Sequence, residues 1–166
     1  DKEGNATYNI QAPAAWDDIS WHPSFREIIS RAGAIIFGTL VFRNEISRNS
    51  LLKALQVCEG KAVADLNLRK PFYDEMLVDE ILSRANIAKM NEEELQQILQ
   101  WKHKKLPDEK ALAYIAELYE LETVLLSLGP HGSAVWHGGT YRHHPGYKVT
   151  VKDTVGAYVA NRQGAT

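Results

Sequence analysis

The sequence predicts an α/β fold: a doubly wound, mostly parallel sheet with helices on both faces and a small antiparallel hairpin near the C-terminal end. Three observations predict it. Short apolar runs alternate with segments of 3.6-residue apolar period from residue 34 to residue 128. Those runs, Ala34-Ile35-Ile36-Phe37 among them, are continuous rather than alternating, the pattern of strands covered on two sides. Beyond residue 128 the helical period stops, and two short stretches flank a Gly- and His-rich segment.

Taken in order, residues 7–10 read as a short strand after the polar turn Asp1-Lys2-Glu3-Gly4-Asn5. Residues 16–29 mix turn and helix; Pro23, with its fixed φ and missing N–H, is suited to open a helix carrying Phe25, Ile28 and Ile29. A strand over 34–38 is followed by a helix over 47–57 with Leu51, Leu52 and Leu55 on one face. Next come a strand over 61–68 and a helix over 74–84 that turns Leu77, Ile81 and Leu82 inward. A short strand over 86–90 precedes a helix over 92–101 packing Leu95, Ile98 and Leu99. Pro107 opens a further helix, with Asp108 and Glu109 in the first turn where the macrodipole favours acids, and with Leu112, Ile115, Ala116 and Tyr119 as its stripe. Residues 123–128 form the last parallel strand. The stretches 133–136 and 148–151 are expected as the antiparallel pair, which leaves His137, His143 and His144 in or beside the intervening loop.

Composition narrows the function classes. With 166 residues, 45% hydrophobic and 24% charged, the chain has the content of one globular domain and of neither a disordered segment nor a fibre. A net charge of −2 gives no basic footprint for nucleic acid, so a phosphorylated ligand would need local positive groups. The longest apolar run, residues 32–41, is broken by glycines and too short to span a bilayer, and no membrane partner is expected. The polar start is no signal peptide, and an opening Asp1 is what a processed or truncated chain would show. The single cysteine, Cys58, cannot make an internal disulfide; an idle thiol in a reducing, cytoplasmic compartment is expected. The histidines lack metal-ligand spacing, and no GxGxxG after a strand, Walker A loop or GxSxG elbow occurs.

In a parallel sheet ligands bind beyond the carboxyl ends of the strands, so the chemistry is sought there. The second strand ends in Asp65-Leu66-Asn67-Leu68-Arg69, and a period of two places Asp65, Asn67 and Arg69 on one face. That reads either as a satisfied Asp–Arg pair with Asn67 capping a turn before Pro71, or as a ligand-facing edge with Arg69 as an anion or hydroxyl clamp. Asn91 with Glu94 reads as a capping box, and equally as an oxygen pair suited to a hydrated magnesium ion. Gly129 and Gly132, after an apolar strand ending at Ser127, permit close backbone approach by a ligand. The small-residue turn Asp153-Thr154-Val155-Gly156-Ala157 would present backbone N–H groups to phosphate if a helix began there.

Six segments in this order and spacing resemble the ribokinase-like (PfkB) carbohydrate kinases over essentially the whole chain. They are Ala14-Ala15-Trp16-Asp17, Phe37-Gly38-Thr39-Leu40, Asp65-Leu66-Asn67-Leu68-Arg69-Lys70-Pro71-Phe72-Tyr73, Lys89-Met90-Asn91-Glu92-Glu93-Glu94-Leu95, Ser127-Leu128-Gly129-Pro130-His131-Gly132 and Asp153-Thr154-Val155-Gly156-Ala157. The third leans toward bacterial fructokinases.

The resemblance implies ATP-dependent phosphorylation of a primary sugar hydroxyl, fructose first, with magnesium and possible use of a monovalent cation such as K+. A 2-keto-3-deoxygluconate or nucleoside kinase is the alternative, and a non-catalytic remnant serving as a binding or assembly module is the rival from another class. By the resemblance, Asn91 and Glu94 handle magnesium and phosphate; Ser127, Gly129 and Gly132 form the nucleotide loop, with Ser for the usual Thr. Arg69 lies near sugar and phosphates with Asp65 and Asn67, and Tyr8 lies in the segment that reaches the sugar. Asp153 and Thr154 join the nucleotide side, and Gly156 and Ala157 form the anion-hole turn. The family's next residues, Gly-Asp with the catalytic aspartate, are not there: Tyr158 follows Ala157. The expectation is therefore one partial kinase domain. Residues 1–12 would be the remnant of the lid and sugar-binding region and 13–156 the α/β core, with 157–166 belonging further along a longer chain. A homodimer built through the lid is a further expectation.

Overall fold

The computed structural model describes residues 10–147. Within them the strands form one six-stranded sheet in the order in which they occur along the chain. β1 (Ala34–Phe37), β2 (Lys61–Asp65), β3 (Ile87–Asn91) and β4 (Thr123–Ser127) run parallel, and β5 (Ser133–His137) and β6 (Thr140–His144) continue the sheet antiparallel. α1 (Ser24–Ser30) precedes β1, α2 (Glu45–Val57) follows it, α3 (Glu75–Leu82) joins β2 to β3, and α4 (Glu92–Trp101) and α5 (Asp108–Leu118) join β3 to β4.

Local chemistry sets the helix starts. The side chain of Asn44 accepts from the Ile46 N–H to cap α2, and that of Asp74 from the Leu77 N–H to cap α3. Each such cap stabilises its helix by about 1 kcal/mol. Pro107 stands immediately before α5, with Asp108 and Glu109 in its first turn. Among the described residues, connections that always step to the next strand in one direction, with the near-universal right-handed crossover, stack their helices on one face of the sheet, and the helices expected on the other face are not among those residues. Burial follows that rule: Ala64, Ala88, Met90, Val124 and Leu126 are buried against Val78, Ile81, Leu95, Ile98, Leu112 and Ile115 of the helical layer. The residues between them, Ile36, Val63, Lys89 and Leu125, point to the more open face, and Ile36 is 64% exposed. Polar contacts tie the helices to one another: Tyr119 donates to Asp79 at 2.5 Å and Lys102 to Glu75 at 2.9 Å, joining α3 to the ends of α4 and α5. Burial and that carboxylate push the Tyr119 hydroxyl far up from its ordinary range.

Several sequence expectations need correction. The partner of β5 is residues 140–144 rather than 148–151, which lie outside the described residues, so His143 and His144 are strand residues and not loop. Gly138 and Gly139 both take positive φ, 53° and 85°, the requirement of a two-residue hairpin turn that matches strand twist. β6 escaped the sequence reading because its residues are almost all exposed and carry no apolar pattern. β2 ends at Asp65 rather than 68, because Asn67 turns into the left-handed region at φ 51°. α1 lies outermost, with Ile28 69% exposed, and contributes no buried residue to the core. No helix among the described residues is long and apolar enough to cross a membrane.

Candidate functional site

Parallel pairing brings the carboxyl ends of β1 to β4 to one edge: Phe37 pairs with Ala64, Asp65 with Lys89, and Asn91 with Ser127. α4 begins at Glu92 with no intervening loop, so a helix N-terminus with its partial positive charge sits at that edge.

The Asp65–Arg69 segment lines an open cleft of about 330 Å³ with Gly38 and Thr39 from the end of β1. Asp65, half-buried, accepts from Lys89 Nζ at 2.8 Å, a cross-strand ion pair in register on the open face. Beyond it the Leu66 N–H still reaches the Lys89 carbonyl at 3.1 Å, and then Asn67 turns. Arg69 donates from Nη2 to Asn67 Oδ1 at 3.0 Å. Strict alternation therefore fails at Asn67, yet Asp65, Asn67 and Arg69 still share one cleft. Gly38 makes this approach possible: a Cβ there would stand 2.7 Å from the Asp65 carbonyl oxygen.

On the next strand Asn91 and Glu94 form a reciprocal capping box. The Glu94 N–H donates to Asn91 Oδ1 and the Asn91 N–H to Glu94 Oε2, both at 2.9 Å. The second Glu94 oxygen, Oε1, accepts from the Leu68 N–H at 2.8 Å, which ties the turn after β2 to the start of α4. Glu94 is 7% exposed, and among the described residues no cationic side chain lies within ion-pair distance of it. Among the described residues its oxygens accept from two neutral N–H donors at the positive end of α4, and its spare lone pairs and the Asn91 amide oxygen suit a hard, hydrated cation. No cluster of three or more His, Cys, Asp or Glu that could hold a metal gathers here or anywhere else among the described residues, so a metal held here would take its remaining ligands from water and ligand oxygens.

Ser127 Oγ, half-buried, donates to the Met90 carbonyl at 3.4 Å. The two glycines after it play different parts. A Cβ on Gly132, at φ 89°, would lie 1.9 Å from the His144 carbonyl oxygen, so on that side the chain's own backbone packs against it. Around Gly129, at φ 53°, no described residue lies within 4 Å of a Cβ position. Tyr8, Asp153, Thr154, Gly156 and Ala157 lie outside the described residues.

A buried ion pair that no sequence signal pointed to stands beside the edge. Arg43 grips Asp17 with two bonds of 2.6 Å, and both side chains are almost wholly buried. Its guanidinium lies 4.8 Å from the Phe72 ring centre and 5.6 Å from that of Trp16. The hydrogen bond from Arg43 holds the Asp17 carboxyl below the ordinary carboxylate range, and the same bond raises Arg43. The pair anchors residues 11–19 onto the core, and Ser47 Oγ supports it by donating to the Trp16 carbonyl at 2.8 Å. Asp17 and Arg43 also line a second open cleft of about 350 Å³ with Pro13, Asn44 and Phe72. Phe37, Gly38, Thr39 and Leu40 of the first cleft, and Asp17 and Phe72 of the second, had a trace in the sequence, inside the quoted segments.

Comparison with known proteins supplies the remaining findings. The model of the pfkB family of carbohydrate kinases matches residues 1–157. Among solved structures, the aminoimidazole riboside kinase from Salmonella enterica superposes with a TM-score of 0.63 at 23% identity, over 75% of this chain and 43% of that one. The fructokinase from Vibrio cholerae O395, in its fructose-, ADP- and calcium-bound form, gives 0.63 at 25% identity over 75% and 41%. The fructokinase from Xylella fastidiosa with bound ATP gives 0.68 at 17% identity over 83% and 44%. The chain thus spans less than half the length of these solved relatives. No curated protein matches it.

Proposed function

The chain belongs to the pfkB family of carbohydrate kinases, and from that premise we propose that it carries part of the active site of an ATP-dependent sugar kinase whose acceptor is a primary hydroxyl of fructose. One observation carries the reading. A buried carboxylate, Glu94, with no cationic partner among the described residues, is joined through the Leu68 N–H to the turn that carries Arg69, so an acidic and a basic side chain stand on adjacent strand ends. A metal-bound triphosphate meeting a sugar hydroxyl calls for that pairing.

In this reading Arg69, with Asp65 and Asn67, orients the sugar and the transferred phosphoryl group, and Tyr8 approaches the sugar. Asn91 and Glu94 would hold magnesium through water. The bound ion neutralises charge on the phosphate oxygens. Ser127 and Gly129 face the nucleotide, joined by Asp153 and Thr154, while Gly156 and Ala157 offer backbone N–H groups to developing negative charge. The family's proton-accepting aspartate has no counterpart after Ala157, and loss of a general base costs about 10²–10⁴ in rate. The 166-residue chain alone is therefore expected to transfer phosphoryl groups slowly. The division into 1–12, 13–156 and 157–166 belongs to the same proposal. A cytoplasmic setting, a monovalent cation and a homodimer rest on resemblance to the family.

A riboside acceptor is the second reading, favoured by the equal TM-score of the Salmonella enterica riboside kinase. A 2-keto-3-deoxygluconate kinase and a non-catalytic binding module remain the further rivals. The test is a panel of fructose, other hexoses, 2-keto-3-deoxygluconate and ribosides supplied with ATP and magnesium to the full-length protein. Fructose turnover is expected; turnover of a riboside alone moves the acceptor class, and turnover of nothing removes the kinase reading.

A further inference from the structure

The stretch that leaves β2 is held from two sides. On the β1 side, the Thr39 N–H donates to the Leu66 carbonyl at 3.2 Å and Thr39 Oγ1 to the Asn67 carbonyl at 3.3 Å. On the β3 side, Glu94 Oε1 takes the Leu68 N–H at 2.8 Å. Three successive residues thus each give a backbone group to one of two buried side chains or to that side chain's own backbone, Thr39 being 1% and Glu94 7% exposed. Between these grips Asn67 sits at φ 51°, a left-handed conformation that Asn enters more readily than other non-glycine residues and that persists where its surroundings over-determine it. Asn67 Oδ1 in turn receives Arg69 Nη2 at 3.0 Å.

We propose that Thr39 and Glu94 are positioning residues, a two-sided clamp on the Leu66–Asn67–Leu68 turn that fixes the Asn67 conformation and thereby the presentation of Arg69 to the cleft. The proposal rests on the reading of Arg69 as the substrate clamp, and gives Thr39 a part that the strand-end motifs do not. Its hydroxyl does not touch the acceptor; it acts through Asn67. The physical reason is that a left-handed turn with both flanks tied has one geometry, whereas with one flank released it samples the extended conformers that non-glycine residues prefer.

The test uses the full-length protein as wild type, Thr39→Val, which keeps shape and burial but removes the hydroxyl, and Thr39→Ser, which restores it. Amide hydrogen exchange over residues 66–69 is expected to quicken in Thr39→Val and to return toward wild type in Thr39→Ser, with α4 unchanged. In the kinase assay the sugar KM is expected to rise roughly fivefold in Thr39→Val, with the ATP KM unmoved and Thr39→Ser restoring the sugar value. A Thr39→Val protein that is merely less stable, with wild-type exchange at 66–69 and wild-type sugar KM, overturns the clamp. So does faster exchange without any change in sugar KM. If the wild type phosphorylates no acceptor, the kinase reading falls by itself, and the exchange comparison still decides whether the clamp exists.

Discussion

Replacing Gly132 by alanine separates two explanations of the glycines after β4, the ligand's need for backbone access and the chain's own packing. At φ 89° and ψ −127° Gly132 occupies a region that only glycine enters at low cost. An alanine Cβ there would meet three backbone atoms, the His144 carbonyl oxygen at 1.9 Å, the Gly146 nitrogen at 2.5 Å and the Pro145 carbonyl carbon at 2.5 Å. None of these is the far end of a flexible side chain, so the end of β6 has to move. Backbone strain and overpacking together make the loss about 4 kcal/mol. Gly129→Ala is the internal control: its φ of 53° is left-handed but no described residue meets its Cβ position, so the loss is about 1 kcal/mol. Urea unfolding followed by tryptophan fluorescence reads the difference. With a slope of about 2 kcal/mol per molar, the Gly132→Ala midpoint should fall about 1.5 M further than that of Gly129→Ala. Nucleotide affinity should be weakened by Gly129→Ala in the folded protein. Equal midpoints for the two variants would refute the assignment of Gly132 to packing.

Two further outcomes follow from the site. Glu94→Gln keeps the size but only one acceptor oxygen, so either the Leu68 or the Asn91 N–H loses its partner; stability should fall by about 1–3 kcal/mol, and the magnesium concentration for half-maximal rate should rise about tenfold. An unchanged magnesium requirement in a folded, active Glu94→Gln protein would remove Glu94 from metal handling. Asp17 has its folded-state pKa depressed by Arg43, so its contribution is complete above the unfolded value of about 4 and disappears as pH falls through the folded value. The gap in urea midpoint between wild type and Asp17→Asn should therefore be constant from pH 6 to 8 and narrow as pH falls below about 4; no gap at pH 7, or a gap that widens below pH 4, contradicts the pairing.

What was legible in the sequence was local. α4 and α5 start where Asn91 with Glu94 and Pro107 with Asp108 say they should, because capping is settled within four residues. The apolar runs located β1 to β4, because strands whose one face is buried by helices need apolar side chains whatever covers the other. What was not legible was either long in range or without pattern. The Arg43–Asp17 pair joins residues 26 apart, and so does the Leu68–Glu94 bond that links the two halves of the candidate site. Asn67 is of the residue type that tolerates the left-handed region best after glycine, and what fixes it there comes from neighbouring strands, through Thr39 and Glu94. β6 lacks apolar alternation, and its one local signal was the Gly138-Gly139 pair.

The central claim, that the polar ends of β2, β3 and β4 form one phosphoryl-transfer edge, is tested most directly by resonance mapping. Amide and side-chain signals of the full-length protein would be followed through titrations with magnesium–ADP and then with fructose. The account predicts shifts at Asn91, Glu94, Ser127 and Gly129 with the nucleotide, and at Asn67 and Arg69 with the sugar. Shifts confined to the helical layer, or to the cleft beside Arg43 and Asp17, would contradict it.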